Sequence, residues 1–597
     1  ILLSLFNPSS RFRKLSRQLA ETGNPGKTAM IILAVGMGLF MPGVPALAQD
    51  LQAEQRHEIP AVHAKAFGKL LVQDYQGRVK PMNTLASEVL RKVSRKTRLE
   101  GLNPEQVLLG MMADPITWQT IPMVKVSHPE IGEILNIEGK HASFLQFFDP
   151  DKERSYIIGD DVGIAHRKKS SERSKFDTEM LRVDERMNIC YMVYSGNLLR
   201  ILPDRDDPNH TWHSPNTIQS VYTGEDSLFA VNITQLYLEG VREGIETGDW
   251  QKGDEYLGYL KVFQDRMGAG IMPSPGRQKA EIIYNRINLF DRLARFYIAI
   301  GITLLIIQLI SVSSVSINPR RMRRIMVIHL LAGFAVHTVG LSFRWYISGH
   351  APWSNGYESL LYISWATMLA GVFFSRRTST PLAATAVLAW MMLHTAHLSW
   401  MDPQLTNLVP VLKSYWLTIH VAVIASSYGF LGLASLLGFF NLVLMGFQSR
   451  KNREKVEHAI VSLSSIGEMT IIAGLGLLTI GTFLGGIWAN ESWGRYWAWD
   501  PKESWALITI LVYAFIVHMR FMPGLKSLYP FNLAAVLGYA SVIMTYFGVN
   551  YYLSGMHSYA KGDPVPVPAF VYYTLAIITL VAITAYARRR KTLITMT

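Results

Sequence analysis

Nine long apolar segments dominate the second half of this 597-residue chain. They lie near residues 293–312, 325–343, 357–374, 381–398, 416–446, 467–488, 504–521, 531–550 and 567–587. A helix that crosses the hydrocarbon core of a bilayer needs about 20 apolar residues, and these segments approach or exceed that length. In a bilayer such a segment must satisfy its own backbone hydrogen bonds, as a helix does. The sequence therefore predicts an all-α polytopic membrane protein with about nine transmembrane helices.

The connecting loops alternate in charge, and this alternation predicts the orientation of the chain. Basic side chains gather in every second loop and at the end of the chain, at 319–324, 376–377, 450–455, 520–526 and 588–591. Positively charged loops remain on the cytoplasmic side of a membrane. The intervening loops and residues 49–292 are therefore expected on the periplasmic side of a bacterial cytoplasmic membrane. Because the net charge of +13 comes with these loops, we expect no nucleic-acid partner.

The first 48 residues have the order of features found in a targeting segment. Five basic residues between positions 11 and 27 precede an apolar stretch at 30–41, and Ala46-Leu47-Ala48 follows it. This order is typical of a secretory signal peptide and its cleavage site. An uncleaved N-terminal anchor is the alternative. The expected domains are a signal or anchor at 1–48, an extracytoplasmic domain at 49–292 and a transmembrane domain at 293–597.

The extracytoplasmic segment shows no catalytic constellation, and we expect it to serve in docking or scaffolding. Residues 77–84 predict a turn that leads into an amphipathic helix. The apolar face of this helix comprises Leu85, Val89, Leu90 and Val93. The single cysteine of the chain, Cys190, excludes an intramolecular disulfide, a thiol reductant and a c-type cytochrome, so a structural role is expected for it.

Residues 488–505, which we call the tryptophan loop, are the most informative stretch. Four tryptophans lie between 488 and 499, and Trp505 follows. Part of the stretch has a local explanation. Asp500 is a good N-cap, Pro501 suits the first helical position, and Glu503 can close a capping box. These three residues are therefore expected to begin the next helix.

The density of indoles in the tryptophan loop requires a further explanation. Trp493, Trp497 and Trp499 lie close to Arg495 and Lys502 in the sequence. Indole rings can contact a flat apolar macrocycle, and the two cations can meet its carboxylates. Haem is such a ligand. A membrane-interface belt that is unusually rich in tryptophan is the alternative.

Two histidines are expected on the same side of the membrane as the tryptophan loop. His420 lies near the end of the fifth segment, and His557 follows the eighth. Two neutral imidazoles can bind one haem iron from opposite faces. His518 lies 18 residues beyond the Asp500 cap, about 27 Å further along a helix, and cannot serve the same site. Four other membrane histidines are expected to be structural, namely His329, His337, His394 and His397.

Residues 493–505 resemble the WWD signature of the haem-handling protein family, and the match extends through Tyr513 to His518-Met519-Arg520. Within that family the chain resembles the CcsA-type cytochrome c assembly proteins of System II. Residues 353–359 are similar to the early loop motif of that type. The resemblance covers about 320–590. It implies that His420 and His557 flank the tryptophan loop as haem ligands and that His518 belongs to an inner haem site.

The resemblance also implies a function and partners. The chain would hold haem b and present its vinyl groups to the Cys-x-x-Cys-His motif of apocytochrome c, as a subunit of a cytochrome c synthase (haem lyase) complex. A separate ResB/CcsB-type membrane subunit would supply the second ligand of the inner site, with His329 as the alternative, and a thiol reductant would act indirectly. A haem exporter or a System I-type WWD haem chaperone is the alternative. A solute transporter and a respiratory oxidase subunit are the alternatives from other classes.

Overall fold

The computed structural model describes residues 10–21, 58–151, 155–169, 172–218, 221–222, 224–313, 320–376, 378–398, 401–408, 410–448, 452–553, 555–556 and 567–588. The chain divides into two compact units. The N-terminal unit lies within Val44–Ile287, and the membrane unit comprises Ile1–Gly43 and Asn288–Thr597. The expected cleavage site, the apolar stretch before it and His557 lie outside the described residues.

The N-terminal unit consists of helices and short antiparallel strand pairs. Helix α1 (Arg11–Glu21) precedes this unit in the chain and belongs to the membrane unit. The helices of the N-terminal unit are α2 (Ala61–Phe67), α3 (Met82–Ser94), α4 (Pro104–Ala113), α5 (Pro115–Trp118), α6 (Pro129–Ile134), α7 (Gly159–Arg167), α8 (Lys175–Tyr194), α9 (Gly224–Thr247), α10 (Gln251–Met267) and α11 (Pro275–Ile287). The strand pairs are β1 (Leu71–Gln73) with β2 (Val79–Pro81), β3 (Val124–Lys125) with β4 (His141–Ala142), β5 (Phe148–Asp149) with β6 (Ser155–Tyr156), and β7 (Leu202–Pro203) with β8 (Trp212–His213).

The turn and amphipathic helix that the sequence predicts at 77–94 are present. Gly77 has a φ of 79° in the turn between β1 and β2, a conformation that glycine adopts without strain. The four predicted apolar positions of α3 are all buried in the core of the unit. The turn also carries Arg78, whose guanidinium lies 2.6 Å from the buried Glu281 on α11. A buried ion pair thus joins α11 to the turn, which hydrophobic periodicity could not indicate.

The membrane unit consists of long helices. They are α12 (Leu289–Ser313), α13 (Arg320–Ser348), α14 (Gly356–Phe374), α15 (Thr380–Ala396), α16 (Tyr415–Gly446), α17 (Arg453–Trp493), α18 (Pro501–His518), α19 (Leu528–Ile543), α20 (Val549–Tyr552) and α21 (Ala569–Arg588). A π-helical stretch, Met544–Gly548, joins α19 to α20. All nine predicted segments are helical. Seven helices in the described part of the chain are long and apolar enough to cross a membrane, and α14 and α15 are shorter or less apolar.

Helix α17 begins at Arg453, well before the predicted start near residue 467. Its additional turns bury Val456, Ile460 and Leu463 against a cluster that includes the end of α16. The helix has 41 residues and therefore extends about 60 Å, twice the thickness of a hydrocarbon core. The charged residues at 453–457 masked this extension in the sequence, because the apolar positions there follow one face only.

Helix α1 packs on the membrane unit at the end of α17 that is remote from the tryptophan loop. Arg11 donates two hydrogen bonds of 3.0 Å to the carboxylate of Glu468, whose side chain is buried. Arg520, two residues after the end of α18, donates a third of 3.2 Å to the same carboxylate. Leu15 is buried in the neighbouring apolar cluster. Glu468 is thus compensated by two guanidinium groups, as a buried charge must be.

A candidate ligand site at the tryptophan loop

The tryptophan loop connects the end of α17 to the start of α18. Gly494 ends α17 in the left-handed conformation with a φ of 71°. Trp499 also has a positive φ, 56°, which is unusual for a bulky residue. Its side chain is 72% exposed. Residues held in such a conformation cluster at functional sites, and here the conformation directs an indole away from the protein.

The indoles of the tryptophan loop differ in burial. Trp488 is buried, and its ring lies 4.8 Å from that of the predicted site residue Trp493. Trp497 packs edge-on against Trp499 with a distance of 5.7 Å between ring centroids. The Nε1 atom of Trp497 is buried and has no hydrogen-bond partner among the described residues. Trp488 therefore belongs to the core, whereas Trp497 and Trp499 form an edge that a flat ligand can contact.

Asp500 has the predicted role at the start of α18 and a second role that the sequence did not indicate. Its Oδ1 accepts the Lys502 backbone N–H at 2.9 Å, and Glu503 completes the capping box. Its Oδ2 accepts the backbone N–H of Met556 at 2.5 Å. Gly555 lies so close to the Asp500 carboxylate that a Cβ would clash with it. The chain immediately before His557 is therefore anchored at the tryptophan loop.

His420 lies on α16 at the base of the same loop. Its Nδ1 is 2.6 Å from the carbonyl oxygen of Gly481 on α17. A Cβ at Gly485, one turn further along α17, would lie 2.6 Å from the imidazole ring. Because a carbonyl can only accept, Nδ1 donates this hydrogen bond, and in the neutral imidazole the lone pair then lies on Nε2. Histidines that bind metals are commonly oriented by a hydrogen bond of this kind.

The two cations that the sequence places at the site have different surroundings. The Arg495 side chain is exposed, and its guanidinium lies 2.9 Å from the sulfur of Met556. The Lys502 ammonium donates a hydrogen bond of 2.9 Å to the side-chain oxygen of Asn550 on α20. Arg495 is thus accessible to a ligand carboxylate, whereas Lys502 is engaged in joining two helices.

The other histidines that the sequence singles out lie elsewhere in the membrane unit. His518 is exposed at the end of α18, and its Nδ1 is 2.7 Å from the carbonyl oxygen of Ala514 in its own helix. The Nδ1 of His329 is 2.8 Å from the Ile325 carbonyl oxygen of its own helix. His337 is fully buried between the Tyr297 hydroxyl and the Leu361 carbonyl. His394 stacks on Trp390, and His397 contacts the Leu393 carbonyl.

One buried ion pair near the site was not found by sequence reasoning. Arg344 and Glu358 lie 2.8 Å apart, and each side chain is only 1% exposed. Glu358 belongs to the early motif at 353–359, but no local pattern indicated an individual role for it. The available signal was Arg344 itself, a charge directly after the apolar segment 325–343.

Comparisons with known proteins agree on one family. Residues 353–557 match the family described as Cytochrome C assembly protein. The chain is 40% identical over 579 residues to Protein NrfI of Wolinella succinogenes, an alignment that covers 95% of this chain but only 62% of that protein. It is 37% identical over 248 residues to the cytochrome c biogenesis protein CcsA of Prochlorococcus marinus strain MIT 9312, covering 37% of this chain and 80% of that protein. CcsA of Guillardia theta is also 37% identical, over 244 residues.

Proposed function

Because the chain belongs to the CcsA-type family of cytochrome c assembly proteins, we propose that it binds haem b at the tryptophan loop for attachment to apocytochrome c. His420 and His557 would bind the haem iron. The tryptophan loop and both ligands face the periplasm, in agreement with the charge of the connecting loops. The chain acts as a subunit of a cytochrome c synthase, and a ResB/CcsB-type membrane subunit completes the complex.

One observation carries this proposal. Helix α17, which ends in the tryptophan loop, holds the His420 ring next to Gly485, and Asp500 of the loop binds the backbone of Met556. In a neutral His420 with the proton on Nδ1, Nε2 is the ring nitrogen that would bind iron. These contacts support a haem held by His420 and His557.

Each group at the site has a defined part in holding the substrate. Trp497 and Trp499 contact the macrocycle, and Arg495 pairs with a carboxylate as a bidentate donor. Lys502 holds α18 against Asn550 and contributes positive potential at the loop. When bound, haem supplies two vinyl groups, and each cysteine thiol adds across one of them to form a thioether. The chain positions the two substrates, because the chemistry lies in haem and the thiols.

We propose a second, inner haem site at His518, with its other ligand supplied by the ResB/CcsB-type subunit. The exposed position of His518 at the end of α18 remote from the loop supports this proposal. The chain spans 62% of NrfI, so that relative contains sequence beyond the part this chain matches. His518→Ala in the complex with this subunit is expected to lower haem content. Unchanged haem content and cytochrome c maturation would exclude the inner site.

The central test replaces each proposed ligand. His420→Ala and His557→Ala, purified with haem b, are expected to lose the low-spin absorption spectrum, and free imidazole is expected to restore it by filling the vacated position. His337→Ala is the control for loss of a membrane histidine. If both ligand variants retain the wild-type spectrum, the assignment is wrong.

A second test concerns the carboxylates of haem. Arg495→Glu is expected to weaken haem binding, because an exposed cation at the tryptophan loop becomes an anion. The same change at Arg376, an exposed arginine just after α14, is the matched control. Equal haem retention by the two variants would exclude a role for Arg495.

A further inference from the structure

We infer that residues 353–358, which we call the bracket, are a positioning element that sets the spacing between the two histidine-bearing segments. The inference rests on the proposed function, in which His420 and His557 bind one iron. The bracket connects α13 to α14 and bears no proposed ligand. Its contacts reach α16, which carries His420, and the π-helical stretch, which leads to His557.

The first arm of the bracket binds α16. The indole N–H of Trp353 donates a hydrogen bond of 3.1 Å to the carbonyl oxygen of Thr418, two residues before His420. The indole also packs on Tyr362 with a centroid distance of 4.5 Å. The Tyr362 hydroxyl lies 3.0 Å from the hydroxyl of Ser426, further along α16. Two contacts thus fix the start of α16 relative to α14.

The second arm binds the segment that leads to His557. The Tyr546 hydroxyl donates a hydrogen bond of 3.0 Å to the carbonyl oxygen of Gly356. Tyr546 lies in the π-helical stretch, and α20 continues directly from it. A π-helical turn inside a helix is rare and is frequent at functional sites. The Tyr546 ring also meets Tyr428 on α16 edge-on, at 6.3 Å. The bracket therefore contacts both segments within four residues of chain.

A buried ion pair holds the bracket itself in shape. Glu358 accepts a hydrogen bond of 2.8 Å from Arg344 and two more from Ser354, at 2.7 Å from its hydroxyl and 3.1 Å from its backbone N–H. Arg344 also donates to the carbonyl oxygen of Pro403 at 3.2 Å. A buried ion pair adds little net stability compared with apolar packing, but it can specify one geometry. Here the geometry specified is that of the bracket and the 401–408 loop.

The spacing matters because two imidazoles that share an iron must face each other across it. Groups that only orient a metal ligand typically change metal affinity 10- to 100-fold when they are replaced. Loss of either arm is therefore expected to weaken one iron–histidine bond without removing a ligand. Trp353 and Tyr546 are positioning residues, and neither is proposed to touch haem.

The test removes one donor from each arm and keeps an aromatic side chain at both positions. Trp353→Phe and Tyr546→Phe in the full chain, titrated with haem b, are expected to show at least tenfold weaker formation of the low-spin complex. Free imidazole is expected to restore the low-spin spectrum. Tyr529→Phe is the matched control, because it deletes a hydrogen bond to the Ala582 carbonyl, near the end of α19 that is remote from the π-helical stretch. This control is expected to bind haem like the wild type.

Other results would overturn either the inference or the proposed function. A wild-type titration by both Trp353→Phe and Tyr546→Phe would overturn the inference, as would an equal loss in Tyr529→Phe. Loss of haem that imidazole does not restore, together with a lowered melting temperature, would also overturn it in favour of a purely structural role. Failure of the wild-type chain to form a low-spin complex would instead refute the proposed function, so the two failures can be told apart.

Discussion

Asp500 allows the helix cap and the anchor of the His557 segment to be tested separately. Its two carboxylate oxygens serve different segments: Oδ1 caps α18, and Oδ2 accepts the Met556 N–H at 2.5 Å. An asparagine caps a helix about as well as an aspartate. Its amide has only one acceptor oxygen, so Asp500→Asn keeps the cap and loses the anchor. Asp500→Ala loses both.

The expected magnitudes follow from the two contacts. A hydrogen bond to a charged group contributes about 1.5–3 kcal/mol. Loss of about 2 kcal/mol corresponds to a factor of about 30 in the equilibrium for docking of the His557 segment at the tryptophan loop. In Asp500→Asn we therefore expect about 30-fold weaker low-spin haem binding and a melting temperature close to that of the wild type. In Asp500→Ala the lost cap costs about 1 kcal/mol more, and the melting temperature is expected to fall as well.

The assay is a haem b titration followed by absorbance, with thermal unfolding of the same samples. Asn103→Ala is the matched control, because Asn103 caps α4 in the N-terminal unit through a capping box of the same type. It is expected to lower stability without changing haem affinity. Wild-type haem affinity in Asp500→Asn would refute the anchoring role, and equal melting temperatures for the asparagine and alanine variants of Asp500 would refute the separation of cap from anchor.

Three further predictions concern particular contacts. Gly485→Ala places a Cβ 2.6 Å from the His420 ring, and a titration should show lower haem affinity. Gly467→Ala on the same helix should leave haem affinity unchanged, because the nearest neighbour of its Cβ is 4.0 Å away. Burial raises the pKa of the Cys190 thiol to about 12, so it should resist maleimide at pH 7 until the chain is unfolded, and rapid labelling of folded protein would contradict this. A lysine ammonium lowers the pKa of Asp177 to about 2, below its ordinary value near 3.9. Above pH 4 this carboxylate therefore contributes about 1–2 kcal/mol to the free energy of unfolding, and the contribution is lost as the pH falls towards 2. The melting temperatures of the wild type and Asp177→Asn should converge in acid.

The sequence was sufficient to predict those elements that local patterns specify. Long apolar runs have one solution in a bilayer, and all nine predicted segments are helices. The cap at Asp500 and the amphipathic helix α3 were also predicted, because capping chemistry and a 3.6-residue period depend on neighbouring residues only. The start of α17 was not predicted, because its first turns are apolar on one face and charged on the other.

Contacts between distant segments required the tertiary structure. The sequence places His420 and Asp500 eighty residues apart, and no local pattern indicates that α17 holds the His420 ring or that Asp500 binds the Met556 backbone. The same holds for Arg344 with Glu358 and for Tyr546 with Gly356. Each partner has an ordinary local environment in the sequence, and only the packing of helices brings them together. The residue types of the site were therefore determined by the sequence, whereas the contacts that orient them were decided by the fold, because hydrogen bonds between helices depend on positions that the chain reaches only after it has packed.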